Sequence, residues 1–247
     1  MYINRYGNSE GPVIVLLPPM MVTGEDLYNA MAPYFKGDYC IIAPDHGSHG
    51  KAGEYLSADQ EYKELKSYLI RNDYRHIHLL FGASLGAALA YRLFCDPDIE
   101  EDHVWLDGLL LKKSAPIVEK MMKDTFLKLQ KDPDFQAGRI PKDLVELIGQ
   151  DFASLILDNY KQLTRTDIQK ICHAYCRMEP AAVSGAKQEM IHLEYGEDDF
   201  ALNPSKSGLK KYLPLVNPVV RKGCKHCEYL AVHMAAYVEE MENFSTR

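Results

Sequence analysis

Residues 82–86 have the sequence Gly-Ala-Ser-Leu-Gly, a pattern whose serine could act as a nucleophile. They follow an apolar run at residues 76–81 and precede helix-forming residues 87–94, so Ser84 falls on a predicted strand-to-helix turn. A serine on such a sharp turn presents its hydroxyl outward, and the flanking glycines let the two backbones approach each other. We therefore predict that Ser84 is a nucleophile. The alternative is a glycine-rich turn whose serine only caps the helix.

A serine nucleophile needs a base, and histidine serves best near neutral pH. Ligands of open α/β sheets bind at the carboxyl ends of the strands, so residues directly after strands are favoured. Among the nine histidines, His226 follows the last predicted strand and precedes the last predicted helix, and we predict that it is the base. The histidines inside predicted strands or the last helix are predicted to be structural, and they are His76, His78, His103, His192 and His233.

A carboxylate must orient the histidine, and three aspartates at strand ends compete for this role. Asp198 and Asp199 follow the predicted strand 191–195, and Asp107 ends the strand before it. We predict Asp199 as the acid, with Asp198 as the second choice and Asp107 as the third. Each of them could instead be a loop carboxylate that caps the next helix.

The oxyanion of a tetrahedral intermediate needs two fixed N–H donors. The backbone N–H of Leu85 lies at the head of the helix that follows Ser84, and we predict that it is one donor. The other is expected from the loop after the predicted strand 13–17. Pro18 and Pro19 have no N–H, so Met20 is the first available donor of that loop.

Four further residues are predicted near the substrate. His46 and His49 lie in a loop after a predicted strand and are suited to the wall of a site. His173 lies in a predicted helical insertion that can reach over the strand ends. We predict that Met21, His46 and His173 bind substrate.

The elements that must position these residues alternate between apolar strands and amphipathic helices, which predicts an α/β fold with a mainly parallel central sheet and helices on both faces. Residues 112–187 break the alternation, because they are almost all helix-forming, with breaks at Pro133, residues 138–141 and Pro180. We predict a core domain of residues 1–111 and 188–247 and a helical insertion of residues 112–187. Strands are predicted at 13–17, 39–43, 76–81, 103–109, 190–195 and 215–220, and helices outside the insertion at 25–35, 57–71, 87–94, 205–212 and 227–243.

The composition and charge of the chain limit the classes of function that the protein could have. The chain has 247 residues, 47% of them hydrophobic and 26% charged, as in a globular protein. The net charge of −7 gives no electrostatic support for binding nucleic acid. No secretion signal is visible, and no apolar run approaches the roughly 20 residues of a membrane helix. With six cysteines and no such signal, we expect reduced thiols and a cytoplasmic protein.

Taken together, these residues resemble the α/β-hydrolase fold superfamily, in its capped single-chain serine hydrolase branch, over nearly the whole chain. The order Ser84, Asp199, His226 matches the family order of nucleophile, acid and base, and the insertion begins where the family places its cap. Residues 45–50 are similar to the family's D-x-x-G-x-G-like loop, and residues 196–199 look like its G-E-x-D turn. Two departures are Pro18-Pro19 in place of His-Gly and a longer Gly-Cys-Lys-His motif at residues 223–226.

The residues and the resemblance imply a serine hydrolase that cleaves an ester, thioester or similar acyl bond of a small, partly apolar molecule through an acyl-enzyme. This chemistry requires no metal and no organic cofactor. Some apolar side chains of the cap are expected to line a pocket over Ser84. The candidates are Met121, Met122, Phe126, Phe152, Leu155, Tyr160 and Tyr175.

Two other functions are open at this stage. A non-catalytic member of the same fold would bind a ligand under the cap, since one fold hosts many functions. Residues 224–227 also form a C-x-x-C pattern before a helix, as in redox proteins. A metal site would need further ligands, which Cys172, His173 and Cys176 could supply.

Overall fold

The computed structural model describes residues 1–246, and seven segments of this range form one sheet. The strands are β1 (Tyr2–Gly7), β2 (Val13–Leu17), β3 (Cys40–Asp45), β4 (His76–Ala83), β5 (Glu100–Asp107), β6 (Ile191–Gly196) and β7 (Val219–Arg221). They lie in the order β1-β3-β2-β4-β5-β6-β7. β1 runs antiparallel to β3, and the other neighbours are parallel. The predicted mainly parallel α/β sheet is thus confirmed.

Helices lie between most consecutive strands and after β7. Those outside the insertion are α1 (Gly24–Met31) with a 3₁₀ turn at Ala32–Tyr34, α2 (Ala58–Arg71), α3 (Leu85–Phe94), α10 (Leu202–Tyr212), α11 (Glu228–Val232) and α12 (Met234–Ser245). Those between β5 and β6 are α4 (Pro116–Leu129), α5 (Pro133–Gln136), α6 (Lys142–Ile148), α7 (Gln150–Gln162), α8 (Arg165–Arg177) and α9 (Gly185–Glu189). None of the helices within residues 1–246 combines the length and apolarity needed to cross a membrane.

The core follows from the apolar strand sequences. Four of the five residues of β2 are buried, as expected of a central strand covered on both faces. Ser57 caps α2 by accepting a hydrogen bond from the amide of Gln60 at 3.1 Å. Because the parallel strands share one direction, their carboxyl ends meet at one edge of the sheet. The loops after β2, β3, β4, β5, β6 and β7 leave the sheet at this edge.

Several predicted bounds are corrected. β3 continues through Pro44, because β2 pairs with β3 only at residues 40–42 and Pro44 therefore needs no N–H there. β7 is only three residues long and begins after Pro218. The last predicted helix is two helices, since His233 has φ −122° and ψ 37° and ends α11. β5 begins earlier than predicted, at Glu100, and ends at Asp107.

The inserted segment has helices only, with the predicted breaks near Pro133, residues 138–141 and Pro180. Further breaks at Gly149 and Thr164 were not predicted. Side chains tie the segment to the sheet-bearing part: Ser48 Oγ donates to Asp167 Oδ1 at 2.6 Å, and Asn159 Nδ2 donates to Asp26 Oδ2 at 3.0 Å. The division into a core and a cap domain stays a prediction.

Candidate active site

Ser84 lies on a strained turn between β4 and α3. Its backbone has φ 51° and ψ −112°, a region that residues with a side chain rarely adopt. The turn is compressed, because a Cβ on Gly86 would stand 2.1 Å from the carbonyl oxygen of Leu17 at the end of β2. The amide of Ser84 donates to the carbonyl of Asp107 at 2.8 Å, which fixes the turn to β5. The sequence pattern around Ser84 therefore corresponds to a sharp strand-to-helix turn whose backbone is packed against β2 and hydrogen-bonded to β5.

His226 reaches Ser84 from the loop after β7. Its Nε2 lies 2.7 Å from Ser84 Oγ, and its Nδ1 lies 2.8 Å from Asp199 Oδ1. A carboxylate oxygen only accepts, so Nδ1 carries the proton and Nε2 is free to accept the proton of the serine hydroxyl. This is the tautomer that a general base needs. The ring is buried, which shields the pair from bulk water.

The structure brings Asp199, and neither rival aspartate, to His226. Asp198 is exposed, and its amide donates to the carbonyl of Cys224 at 3.0 Å. Asp107 is buried and accepts a hydrogen bond from the hydroxyl of Tyr237 at 3.2 Å. Burial, together with the nearby carboxylates Glu194 and Asp199, holds the pKa of Asp107 well above its usual range. A neutral carboxyl is poorly suited to stabilising an imidazolium ion.

Two residues beside His226, Gly108 and Phe200, were missed by sequence reasoning. Gly108, with φ +66°, follows β5 and faces the imidazole, and the hydroxyl of Tyr175 donates to its carbonyl at 2.8 Å. The ring of Phe200, next to the acid in the chain, has its centroid 4.2 Å from that of His226. A glycine at the end of a strand could have indicated that the backbone at Gly108 comes close to a site residue. Nothing in the sequence pattern indicated Phe200.

A small apolar cavity of about 50 Å³ lies over Ser84. Four of the seven cap candidates line it, and they are Met122, Phe126, Phe152 and Tyr175. The other three do not: Met121 and Leu155 are exposed, and Tyr160 is buried with its hydroxyl on the carbonyl of Phe126. The remaining lining residues are Pro19, Met20, Met21, Ser84, Leu85, Ile148, Ile156, Ile171, Cys172, Phe200 and His226.

The two predicted oxyanion donors border this cavity. Within residues 1–246, the backbone amides of Met20 and Leu85 donate to no protein acceptor. Leu85 is the first residue of α3, so its N–H is one of the free donors at a helix start. Both amides are therefore available to a ligand beside Ser84.

The predicted substrate-binding residues divide into two groups. Met21 lines the cavity over Ser84. His46 and His173 do not, and instead border a separate, open groove of about 970 Å³ whose lining also includes Leu85. His46 is buried with both ring nitrogens engaged, by Glu61 Oε2 at 2.9 Å and by the carbonyl of Pro18 at 3.0 Å. His173 is exposed and pairs with Glu119.

Four of the six cysteines are buried, and Cys95 and Cys224 are half-buried. Cys224 and Cys227 are not joined by a disulfide, and burial raises the pKa of Cys227 well above its usual range. Burial likewise raises the pKa of Cys172 to about 12 and of Cys176 to about 11. Reactive or metal-binding cysteines need the opposite shift, toward the thiolate. Within residues 1–246, no three or more His, Cys, Asp or Glu side chains are grouped so as to hold a metal ion.

Solved structures resemble the fold of this chain, whereas no protein-family model and no curated protein sequence matches the chain. A carboxylesterase from the thaumarchaeon Nitrososphaera gargenis is 12% identical, with a TM-score of 0.74 over 99% of this chain and 94% of that one. A bromoperoxidase from Bacillus anthracis is 17% identical, with a TM-score of 0.73 over 99% and 95%. MenH from S. aureus is 14% identical, with a TM-score of 0.70 over 100% and 99%. The chain has the α/β-hydrolase fold. Because one fold hosts many functions, the reaction must be argued from the site.

Proposed function

We propose that the protein is a serine hydrolase that cleaves an ester, thioester or similar acyl bond of a small molecule. The observation that carries this proposal is the continuous hydrogen-bonded series from Ser84 Oγ through His226 to Asp199, with bond lengths of 2.7 and 2.8 Å. A nucleophile, a base and an orienting acid in contact are the parts that acyl transfer requires. Esterases and other hydrolases among the structural neighbours agree with it.

The proposed reaction has two stages, acylation and deacylation of Ser84. Ser84 Oγ attacks the substrate carbonyl carbon as its proton passes to His226 Nε2, and the carbonyl oxygen becomes an oxyanion held by the amides of Leu85 and Met20. The intermediate collapses, the bond to the leaving group breaks, and His226 returns the proton to that group. Water then attacks the acyl-enzyme with His226 again accepting a proton. The carboxylic acid leaves, and Ser84 recovers its hydroxyl.

The cavity suggests the kind of acyl group. Its volume of about 50 Å³ is small, and its lining from the inserted helices is apolar, with Met122, Phe126 and Phe152 among the contributors. A short, uncharged acyl chain fits such a space, because an unpaired charge would lose its hydration there. We therefore expect the protein to prefer substrates with short apolar acyl groups.

The test is intact mass spectrometry after incubation with a fluorophosphonate probe, which reacts with activated serines. We expect one adduct on the wild type, mapped to Ser84, and none on Ser84→Ala or His226→Ala. Ser57→Ala is the matched control, because Ser57 is an exposed helix cap away from the cavity. It should be labelled like the wild type.

Either of two results would contradict the proposal. A wild-type protein that forms no adduct would favour a ligand-binding member of the fold, to be followed by thermal-shift screening. An adduct that persists on Ser84→Ala would place the reactive serine elsewhere. Hydrolysis of p-nitrophenyl acetate by the same variants gives an independent reading, since losing the nucleophile or base lowers kcat by roughly 10⁴–10⁶-fold.

A further inference from the structure

The loop that carries Met20 is held from both sides by two buried histidines. This loop, residues 18–22, follows β2 and is named the oxyanion loop here. His46 Nε2 lies 3.0 Å from the carbonyl oxygen of Pro18, and His49 Nε2 lies 2.9 Å from the backbone nitrogen of Met21. Both histidines come from the loop after β3, and both are about 1–2% exposed. The two contacts lie on either side of Met20.

The partners fix the protonation of both rings. A carbonyl only accepts, so His46 must carry a proton on Nε2 where it meets Pro18. The amide of Met21 only donates, so His49 Nε2 must be bare. His49 Nδ1 then carries the proton and donates to the carbonyl of Gly47 at 2.8 Å. His49 is thus a neutral imidazole in one defined tautomer.

The surroundings favour this neutral form. Burial and then the electrostatic effect of nearby His46 lower the pKa of His49 to about 4, against smaller opposing effects of the hydrogen bond to the Gly47 carbonyl and of Glu61 and Asp45. At neutral pH the ring therefore remains an acceptor at Nε2. If His49 took a second proton, the hydrogen bond from Met21 would be lost.

The same contacts leave the backbone N–H of Met20 as the donor of the oxyanion loop that has no protein acceptor within residues 1–246. Pro18 and Pro19 have no N–H, the amide of Val22 donates to the carbonyl of Pro19 at 3.2 Å, and the amide of Met21 is used by His49. Met21 has φ +72°, the left-handed region, which costs a residue with a side chain on the order of 1–2 kcal/mol.

We propose that His49 is a positioning residue for the oxyanion hole: by accepting the N–H of Met21 it holds the N–H of Met20 toward the oxygen of the reacting carbonyl. This role rests on the proposed hydrolase function. His49 itself touches neither Ser84 nor the cavity over it, so it acts through the oxyanion loop.

The test uses two amide substitutions that differ by one methylene. In His49→Gln the side-chain oxygen can reach the place of Nε2 and accept from Met21. In His49→Asn the shorter amide can reach only the place of Nδ1, beside Gly47. With p-nitrophenyl acetate, we expect kcat of His49→Asn to fall about 10–10²-fold with KM within roughly two-fold, because an oxyanion donor acts mainly in the transition state. His49→Gln should keep kcat within about three-fold of the wild type.

A second readout separates positioning from general damage to the fold. A trifluoromethyl ketone, whose adduct with serine carries an oxyanion, should bind His49→Asn about 10–10²-fold more weakly than the wild type, and His49→Gln within about three-fold of the wild type. Equal kcat in His49→Asn and wild type overturns the role. So does a His49→Gln variant as poor as His49→Asn, or a loss confined to KM.

The inference stays testable if His49→Asn does not fold. Nitrogen NMR of the imidazoles in the wild type at pH 7 should show His49 with a proton on Nδ1 and none on Nε2, and the reverse tautomer overturns the role. Failure of the hydrolase function is a separate result: the wild type itself then forms no fluorophosphonate adduct, and the role falls with it. A reactive wild type with an unaffected His49→Asn overturns the role alone.

Discussion

Gly108 lies so close to the imidazole of His226 that a Cβ on Gly108 would stand 2.5 Å from Cε1 and 2.9 Å from Nδ1 of the ring. The amide of Gly108 donates to the carbonyl of Glu194 at 3.0 Å, and its carbonyl accepts from Tyr175. The backbone there is held by bonds to β6 and to the inserted helices. The end of β5 is therefore a fixed surface against which the histidine ring packs.

Substituting Gly108 with alanine should displace the ring. The new methyl group cannot fit at 2.5 Å, and the anchored backbone cannot retreat, so His226 must move away from the line between Ser84 and Asp199. A displacement of about 1 Å costs on the order of 10² in rate. We expect kcat for p-nitrophenyl acetate to fall by about that factor in Gly108→Ala.

Gly138→Ala is the matched control for backbone strain. Gly138 also has a positive φ, +79°, but its added Cβ would meet only Lys161 Nζ, at 3.7 Å. Both alanines should lower the free energy of unfolding by roughly 1–2 kcal/mol in urea titrations. Only Gly108→Ala should lose activity, and an equal loss of kcat in both variants would exclude the contact with His226 as the cause.

The choice of acid gives a second prediction. Asp199→Asn removes the negative charge that accepts from His226 Nδ1 and allows the wrong tautomer, so kcat should fall by about 10⁴. Asp198→Asn, one residue earlier and exposed, should stay within about two-fold of the wild type. Steady-state kinetics on the purified variants decide the matter. A large effect of Asp198→Asn with a small effect of Asp199→Asn would reverse the assignment.

Local patterns explain why the positions of the candidate site residues could be predicted from the sequence. The position of Ser84 is indicated by an apolar strand, small residues and a helix within a span of about 20 residues. Asp199 and His226 follow from a second rule, that parallel strands end at one edge. The resemblance of residues 196–199 to a G-E-x-D turn favoured Asp199 over Asp198, and in the structure Asp199 Oδ1 lies 2.8 Å from His226 Nδ1.

Contacts between distant segments could not be predicted in this way. His49 was expected only as a wall residue, because its bond to Met21 spans 28 residues of chain. Gly108 and His226 are more than 100 residues apart in the chain, and no periodic pattern in the sequence indicates their contact. The break at His233 was hidden for a different reason: the apolar stripe from Leu230 through Met234 keeps helical spacing across one non-helical residue.

A third prediction concerns acyl-chain length. Met122 is half-buried on α4 and lines the cavity over Ser84. Met122→Ala should enlarge the cavity, so that kcat/KM for p-nitrophenyl hexanoate relative to the acetate should rise about ten-fold. Met121→Ala is the matched control, because Met121 is 64% exposed and lies outside the cavity. Equal chain-length profiles in the two variants would argue against a lining role for Met122.

A fourth prediction concerns stability at the opposite end of the sheet, where Glu101 near the start of β5 is buried. Among residues 1–246 neither of its carboxylate oxygens has a hydrogen-bond partner, and Lys187 Nζ is 3.7 Å away. Burial raises the pKa of Glu101 to about 7, despite the opposing charge of Lys187. The folded protein therefore holds a proton there that the unfolded chain, with a pKa near 4.5, releases earlier.

The sign of the pH dependence follows from linkage. Between about pH 4.5 and 7 the folded state binds more protons at Glu101 than the unfolded state, so the free energy of unfolding falls as the pH rises through this window. Glu101→Gln does not titrate, and relative to the wild type it should gain roughly 2–3 kcal/mol between pH 4.5 and 8 in urea titrations. Glu100→Gln, an exposed neighbour on β5, should show no such gain. Parallel stability curves for wild type and Glu101→Gln would mean that Glu101 is ionised in the folded protein throughout.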